Sequence, residues 1–394
     1  MVLPEQLKSI IKQYVPLLIS IRHHLHAYPE LSFKEFETSK YIGGLLKKWN
    51  ISFKNIAGTG IEGVIEGKDP SYKTIALRAD IDALPITEEN DVEYKSQHEG
   101  IMHACGHDVH TTCLLGAVKI LSDLKDEWRG TVKFIFQPGE EKNPGGASLM
   151  IKDGVLENPK PEAIVAMHVH PGLDTGKLSF RKGLIMASAD EIYITVKGKG
   201  GHAAAPHLTA DTVLIASQII VSLQQVISRN NNPFTPSVLS ICSIKGGNTT
   251  NVIPSEVKLM GTFRTMDENW RYKAHELIEK QVIQIAEAMG ATAEIKIDVG
   301  YPAVYNDEYA TDSAVVLAKE YFGDDNIEET ELRMGAEDFG FYAQKLPACF
   351  FRLGVRNEQQ GIVHNVHTAK FNIDENALES GAAIMAWMGM RLKI

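Results

Sequence analysis

Three short apolar runs in the first half of the chain stop abruptly at acidic or histidine-bearing clusters, and this feature constrains the fold more than any other. Residues 74–79 (TIALRA) run into Asp80-Ile81-Asp82, and residues 132–136 (VKFIF) run into Gln137-Pro138-Gly139-Glu140-Glu141. Residues 163–167 (AIVAM) run into His168-Val169-His170-Pro171. Unbroken apolar runs of this length suit strands buried on both faces, as in a parallel sheet covered by helices. Between the first two runs, Leu114, Leu115, Val118, Leu121 and Leu124 recur at three- and four-residue steps, the pattern of a helix. Strand, helix, strand is the repeating unit of an open α/β domain, in which ligands gather beyond the carboxyl ends of the strands. The acids and histidines sit at those ends.

The middle of the chain has another rhythm. Residues 190–197 alternate like a half-exposed strand, 210–228 read as a helix, and 237–244 and 256–265 as two strands. A helix over 268–289 and a strand over 292–299 follow, which gives the order βαββαβ of a ferredoxin-like α+β domain. That order is complete in itself. We therefore expect a discontinuous first domain, 1–186 with 299–394, and an inserted second domain, 187–298. Strand-like 350–353 and helix-like 375–391 return to the first. A chain of 394 residues exceeds what one core usually serves, which agrees with two domains.

Composition excludes several functions. A net charge of −10, with Lys and Arg scattered among acids, argues against nucleic acid as a partner. No unbroken apolar run approaches the ~20 residues of a membrane span, and the amphipathic first helix is unlike a signal peptide. Four dispersed cysteines, Cys105, Cys113, Cys242 and Cys349, make no disulfide scaffold. A cytoplasmic protein is the expectation.

The segment HACGHDVH (103–110) puts three histidines, a cysteine and an aspartate into eight residues. Cys105 and His107 beside a glycine are a thiolate–imidazole pair suited to zinc or a comparable ion. No second cysteine pair stands at zinc-finger spacing. In the pair Glu140-Glu141, one carboxylate would bind metal while its neighbour moves protons. His168 ends a third strand. One ion takes three or four such ligands, so the inventory favours two.

With these motifs the chain resembles the amidohydrolase branch of the dinuclear metallo-exopeptidases, which includes hippurate hydrolases, aminoacylases, indole-acetyl-amino-acid hydrolases and N-acetyldiaminopimelate deacetylases. Further matches are Arg22 to His26 with Pro29-Glu30-Leu31, RADIDALP (78–85), GKGGHAAAPH (198–207), NVIP (251–254), GTFR (261–264) and GAEDF (335–339). The resemblance implies an open, mostly parallel zinc-exopeptidase-like sheet with helices on both faces. It also implies two divalent ions per subunit, zinc or manganese, with cobalt or nickel also fitting. The implied ligands are Cys105, His107, Glu141, His168 and a C-terminal histidine. Relatives have His-Ser-Pro where this chain has HTAKF (367–371); spacing to Phe371 picks His367, with His364 close by.

The implied chemistry is hydrolysis of a small N-acyl amino acid with Glu140 as general base. Asp82 would orient a metal ligand or simply cap its strand. His202 would hydrogen-bond the oxyanion, and Arg264, with Asn251 holding the same end, would capture the substrate carboxylate. The histidine matching His202 crosses between subunits in relatives, so a homodimer or larger homo-oligomer is expected. Competing readings are a dipeptidase or carboxypeptidase with the same ions, and a non-catalytic metal-binding relative. A protein that only binds has no need of Glu140.

Overall fold

The computed structural model describes residues 3–394 and divides into two compact units. The first comprises Met1–Ile185, Tyr305–Glu331 and Asp338–Ile394; the second comprises Met186–Val304 and Leu332–Glu337.

The first unit is built on an eight-stranded sheet. Its centre is four parallel strands in the order Thr131–Gln137, Thr74–Asp80, Ala163–Asp174 and Ala348–Arg356. Antiparallel strands flank this centre, with Gly60–Glu66 beside Thr131–Gln137 and Leu178–Phe180 beside Ala348–Arg356. Successive strand residues face opposite sides. In Thr131–Gln137 every residue is buried, and in Thr74–Asp80 all but the first. Both faces are therefore covered, which is why these segments read as continuous apolar runs and not as alternating ones. The helices Pro4–Ala27, His107–Asp123 and Asn376–Arg391 pack on one another. Leu18, Leu114, Leu121, Trp387 and Met388 are among the core residues they bury completely.

The second unit is a four-stranded antiparallel sheet whose spatial order is Ser237–Lys245, Glu256–Thr265, Asp190–Lys197 and Thr292–Val299. In chain order that is second, third, first, fourth, the ferredoxin-like arrangement. Asp190–Lys197 alternates buried and exposed residues, as a sheet with one covered face requires. The helices Thr212–Gln225 and Glu268–Ala288 supply that cover, with Ile215, Ile219, Ala274 and Ile278 meeting Ile192, Ile194, Leu259 and Phe263 in one core. The stretch Thr212–Asn230 is long and apolar enough to cross a membrane by length and composition alone. Here Ile215, Ile219, Leu223 and Val226 are buried on the sheet, while Val213, Leu214 and Val221 are exposed.

Candidate metal centre

Parallel strands in register end together. Asp80 pairs with Gln137 where both strands end, whereas His168, expected to end its strand, lies within Ala163–Asp174 in register with Arg352, level with that edge because the strand runs on in pairing with Ala348–Arg356. Gly106 turns the chain there with φ 83° and starts the helix His107–Asp123. A Cβ at Gly106 would lie 2.6 Å from Val169, so any side chain would drive Cys105 and His107 away from the strand carrying His168.

The expected ligands of the first unit converge. Cys105 Sγ is 3.3 Å from His168 Nε2 and 3.3 Å from His367 Nε2. His367 Nε2 is 3.3 Å from Glu141 Oε1, and His107 Nε2 is 3.9 Å from the same oxygen. Two triples result, Cys105–His107–His168 and Cys105–Glu141–His367, which share the thiol. His367 takes a left-handed φ of 62°, and its amide donates to the carbonyl of Ala104 at 2.7 Å, which ties its loop to that of Cys105. His364 belongs to neither triple. Glu140 is buried and joins His107 and Glu141 in an adjoining group, outside both triples.

The donor set fits a pair of divalent cations. His168 Nδ1 donates to the carbonyl of Val169 at 2.8 Å, which leaves the Nε2 lone pair facing inward. His107 Nδ1 bonds Asp82 at 3.1 Å, and His107 Nε2 is buried without a hydrogen-bond partner. Orphaned buried polar atoms are costly unless something else meets them. Burial, then the charges of Glu141, Glu140 and Asp80, push the Cys105 thiol up, so an ionised Cys105 requires a cation. Burial pushes His168 down, with His110 and Arg352 adding to the effect, and keeps its lone pair available. Burial alone would lower His107, but Asp80, Asp82 and Glu141 raise it to about 10. The site holds more negative charge than its own groups balance, and a cation would displace that proton.

Asp82 both orients and caps. One oxygen takes His107 Nδ1, while the other accepts from Ser32 Oγ at 2.7 Å and from the amide of Glu141 at 3.0 Å. Sequence reasoning gave His110 no more than general polarity. Its Nε2 accepts from the amide of Val169 at 2.9 Å, so that lone pair is not available to a metal, and Nδ1 bonds Asp80 at 2.6 Å. His110 thus fixes the backbone next to His168. The signal was its place three residues after His107 on the same helix face. Two buried networks also escaped sequence reading. Arg78 bridges Asp80 at 2.7 Å and Asp338 at 2.8 Å. Arg22 reaches Asp108 at 3.0 Å, Asn372 at 2.9 Å and Glu375 at 3.2 Å, so one guanidinium braces the loops of His107 and His367.

The second unit separates the three residues expected to bind substrate. Val252 pairs with His202 in a small ribbon, and the amide of Ala203 donates to the carbonyl of Asn251 at 3.0 Å. His202 Nδ1 accepts from the amide of Ala204 at 3.0 Å, so Nε2 carries the proton and can donate it. This ribbon follows Lys197, which pairs with Glu256 at one end of the sheet. Arg264 lies near the other end, where Phe263 pairs with Asp190. Eight residues of strand at ~3.3 Å each put it about 26 Å from Glu256. Asn251 therefore accompanies His202 and not Arg264, contrary to the expectation that both hold one end of the substrate. Strand register, which the sequence does not display, decides this. Arg264 is partly buried, which lowers its pKa, and its guanidinium has no hydrogen bond or ion pair among the described residues.

Comparison with known proteins identifies the family. Residues 76–389 match the model of peptidase family M20/M25/M40. The chain is 39% identical to thermostable carboxypeptidase 1 of Saccharolobus solfataricus over 394 residues, covering 99% of this chain and 98% of that one. It is 39% identical to the N-acetyl-L-cysteine deacetylase of Bacillus subtilis, over 95% of this chain and 87% of the relative. The solved Bacillus subtilis YXEP protein, described as a dinuclear metal-binding peptidase from the M20 family, superposes with a TM-score of 0.83 at 34% identity, over 96% of this chain and 98% of its own. The chain belongs to peptidase family M20/M25/M40 and is a metal-dependent hydrolase of the amidohydrolase kind.

Proposed function

We propose that this enzyme hydrolyses the amide bond of N-acyl-L-amino acids, releasing a carboxylic acid and a free amino acid. The observation that carries the reading is a buried Glu140 beside, but outside, two ligand triples that share Cys105. Cys105, His107 and His168 would hold one divalent ion, and Cys105, Glu141 and His367 the other; zinc, manganese, cobalt or nickel suits this donor set. Bound there, such ions supply polarisation of the scissile carbonyl and a lowered pKa for the attacking water.

Glu140 takes the proton of that water as the C–O bond forms and delivers it to the departing nitrogen as the C–N bond breaks. Asp82 keeps His107 in the tautomer that presents Nε2, and it holds the amide of Glu141 so that the two adjacent carboxylates face different tasks. Arg264, without a protein partner, binds the carboxylate of the amino-acid half. His202 donates from Nε2 to the oxyanion, with Asn251 beside it. The length of strand between Arg264 and the ribbon of His202 supports His202 serving the site of a second copy, in a homodimer or larger assembly. The inserted unit would close over the substrate.

The deacetylase relative favours an acyl substrate, while the carboxypeptidase relative favours a peptide as a second reading. Rates on N-acetyl, N-benzoyl and indole-acetyl amino acids, set against dipeptides, decide between them. Faster cleavage of every dipeptide tested would reverse the proposal.

A further inference from the structure

The sheet of the first unit has a second end. Opposite the ligand cluster, near the starts of Thr74–Asp80 and Thr131–Gln137, lies a cavity of about 730 Å³. That volume is within the ~300–1,000 Å³ typical of small-molecule sites. The strand between the two ends is seven residues long, so the cavity is separated from Asp80 by about 20 Å.

Its floor is apolar: Trp128 and Met390 show a little surface there above the fully buried Ile75 and Leu392, and the exposed rings of Tyr72 and Tyr309 stand at its sides. Its walls are basic, on a chain whose net charge is −10. Lys68, Lys73, Arg129, Arg391 and Lys393 face the side-chain carboxylates of Glu127 and Glu162 and the terminal carboxylate of Ile394. Arg129 is paired with Asp69 at 2.5 Å, which removes it from the balance. Lys68 and Lys393 have no side-chain ion pair among the described residues.

Lys73 is the most constrained of these groups. Its Nζ donates to the carbonyl of Leu392 at 2.8 Å, one acceptor for an ammonium with three donors. Burial pushes its pKa down to about 8, with Arg391 and Lys393 adding repulsion and Glu162 opposing. The fold therefore leaves a poorly solvated ammonium, attracted by Glu162 and repelled by Arg391 and Lys393, beside apolar side chains. An anion with an apolar body would satisfy both features at once.

We propose that this cavity binds a small amphipathic carboxylate, with its acid on Lys73 and its apolar body on the floor around Trp128, at a site distinct from the metal centre. Octanoate is the probe. It is titrated calorimetrically into the metal-loaded full chain, with turnover followed in parallel so that octanoate at the metal centre would show as inhibition. Saturable binding is expected, weakened at least about tenfold in Lys73→Met, as for loss of a charge-assisted hydrogen bond. A smaller loss is expected in Lys68→Glu/Lys393→Glu, which leaves the buried lysine in place and decides the matter should Lys73→Met fold poorly. Turnover of both variants should stay within about twofold of the parent, since neither change touches the ligand cluster. Absence of binding, or equal affinity in the parent and both variants, overturns the proposal. Inorganic phosphate binding as tightly as octanoate would also overturn it, because the floor would then contribute nothing.

Discussion

The two sheets distribute chemistry in opposite ways. In the first unit, parallel strands bring Asp80, Gln137 and His168 level with one another, so residues 31 to 88 apart in sequence meet there. In the second, antiparallel strands send alternate chain reversals to opposite ends, and His202 and Arg264 end up with most of a strand between them. A parallel sheet can therefore complete a site from its own loops. An antiparallel one offers two half-sites, each needing something else to face it.

The strongest test of that contrast is Glu140→Gln, which should lower kcat by about 10²–10⁴-fold while elemental analysis still finds the parent's metal content. Metal loss would move Glu140 into the ligand set; undiminished turnover would remove it as the base. Next is His202→Ala, expected to cost about 10²–10³-fold if its proton meets the oxyanion. Mixing His202→Ala chains with Glu140→Gln chains should restore about a quarter of parental activity, because half the dimers are mixed and each holds one intact site. No recovery after verified subunit exchange would place His202 in its own chain's site or in none.

His110→Ala should weaken metal binding by about 10–100-fold, as loss of a group that orients a ligand does, with turnover largely recovered at saturating metal. Titration with a chromophoric chelator reads this directly. The smallest effect belongs to Arg264→Ala, about tenfold in kcat/KM, as for a lost charge-assisted hydrogen bond. It should be confined to substrates with a free α-carboxylate. An equal loss on the corresponding amides would turn Arg264 into a structural residue.

Much of the first unit was legible because burial on both faces produces apolar runs, and the abrupt polar residues after them mark strand ends. Glu141 stands out for that reason, while Cys105 and His107 stand out by the density of ligand residues in 103–110, and His168 follows an apolar run although its strand continues to Asp174. The preference for His367 over His364 rested on spacing to Phe371, and the left-handed turn at His367 with its amide bond to Ala104 supports it. The order βαββαβ was readable from alternation, yet the end of the sheet to which each loop belongs was not. That depends on the pairing of Lys197 with Glu256 and of Asp190 with Phe263, and no local pattern encodes it. The networks of Arg22 and Arg78 were hidden for another reason. A buried charge is recognisable only with its partners, and Arg78 and Asp338 are 260 residues apart.

The reach of Arg22 to Asp108 on one side and to Asn372 and Glu375 on the other has a consequence for heat inactivation. Fraying of the first helix at that arginine would slacken both halves of the cluster together, although the helix itself donates nothing to them. Release of the ions and exchange of amide hydrogens in that helix should accordingly share one midpoint, well before the sheet beneath them opens.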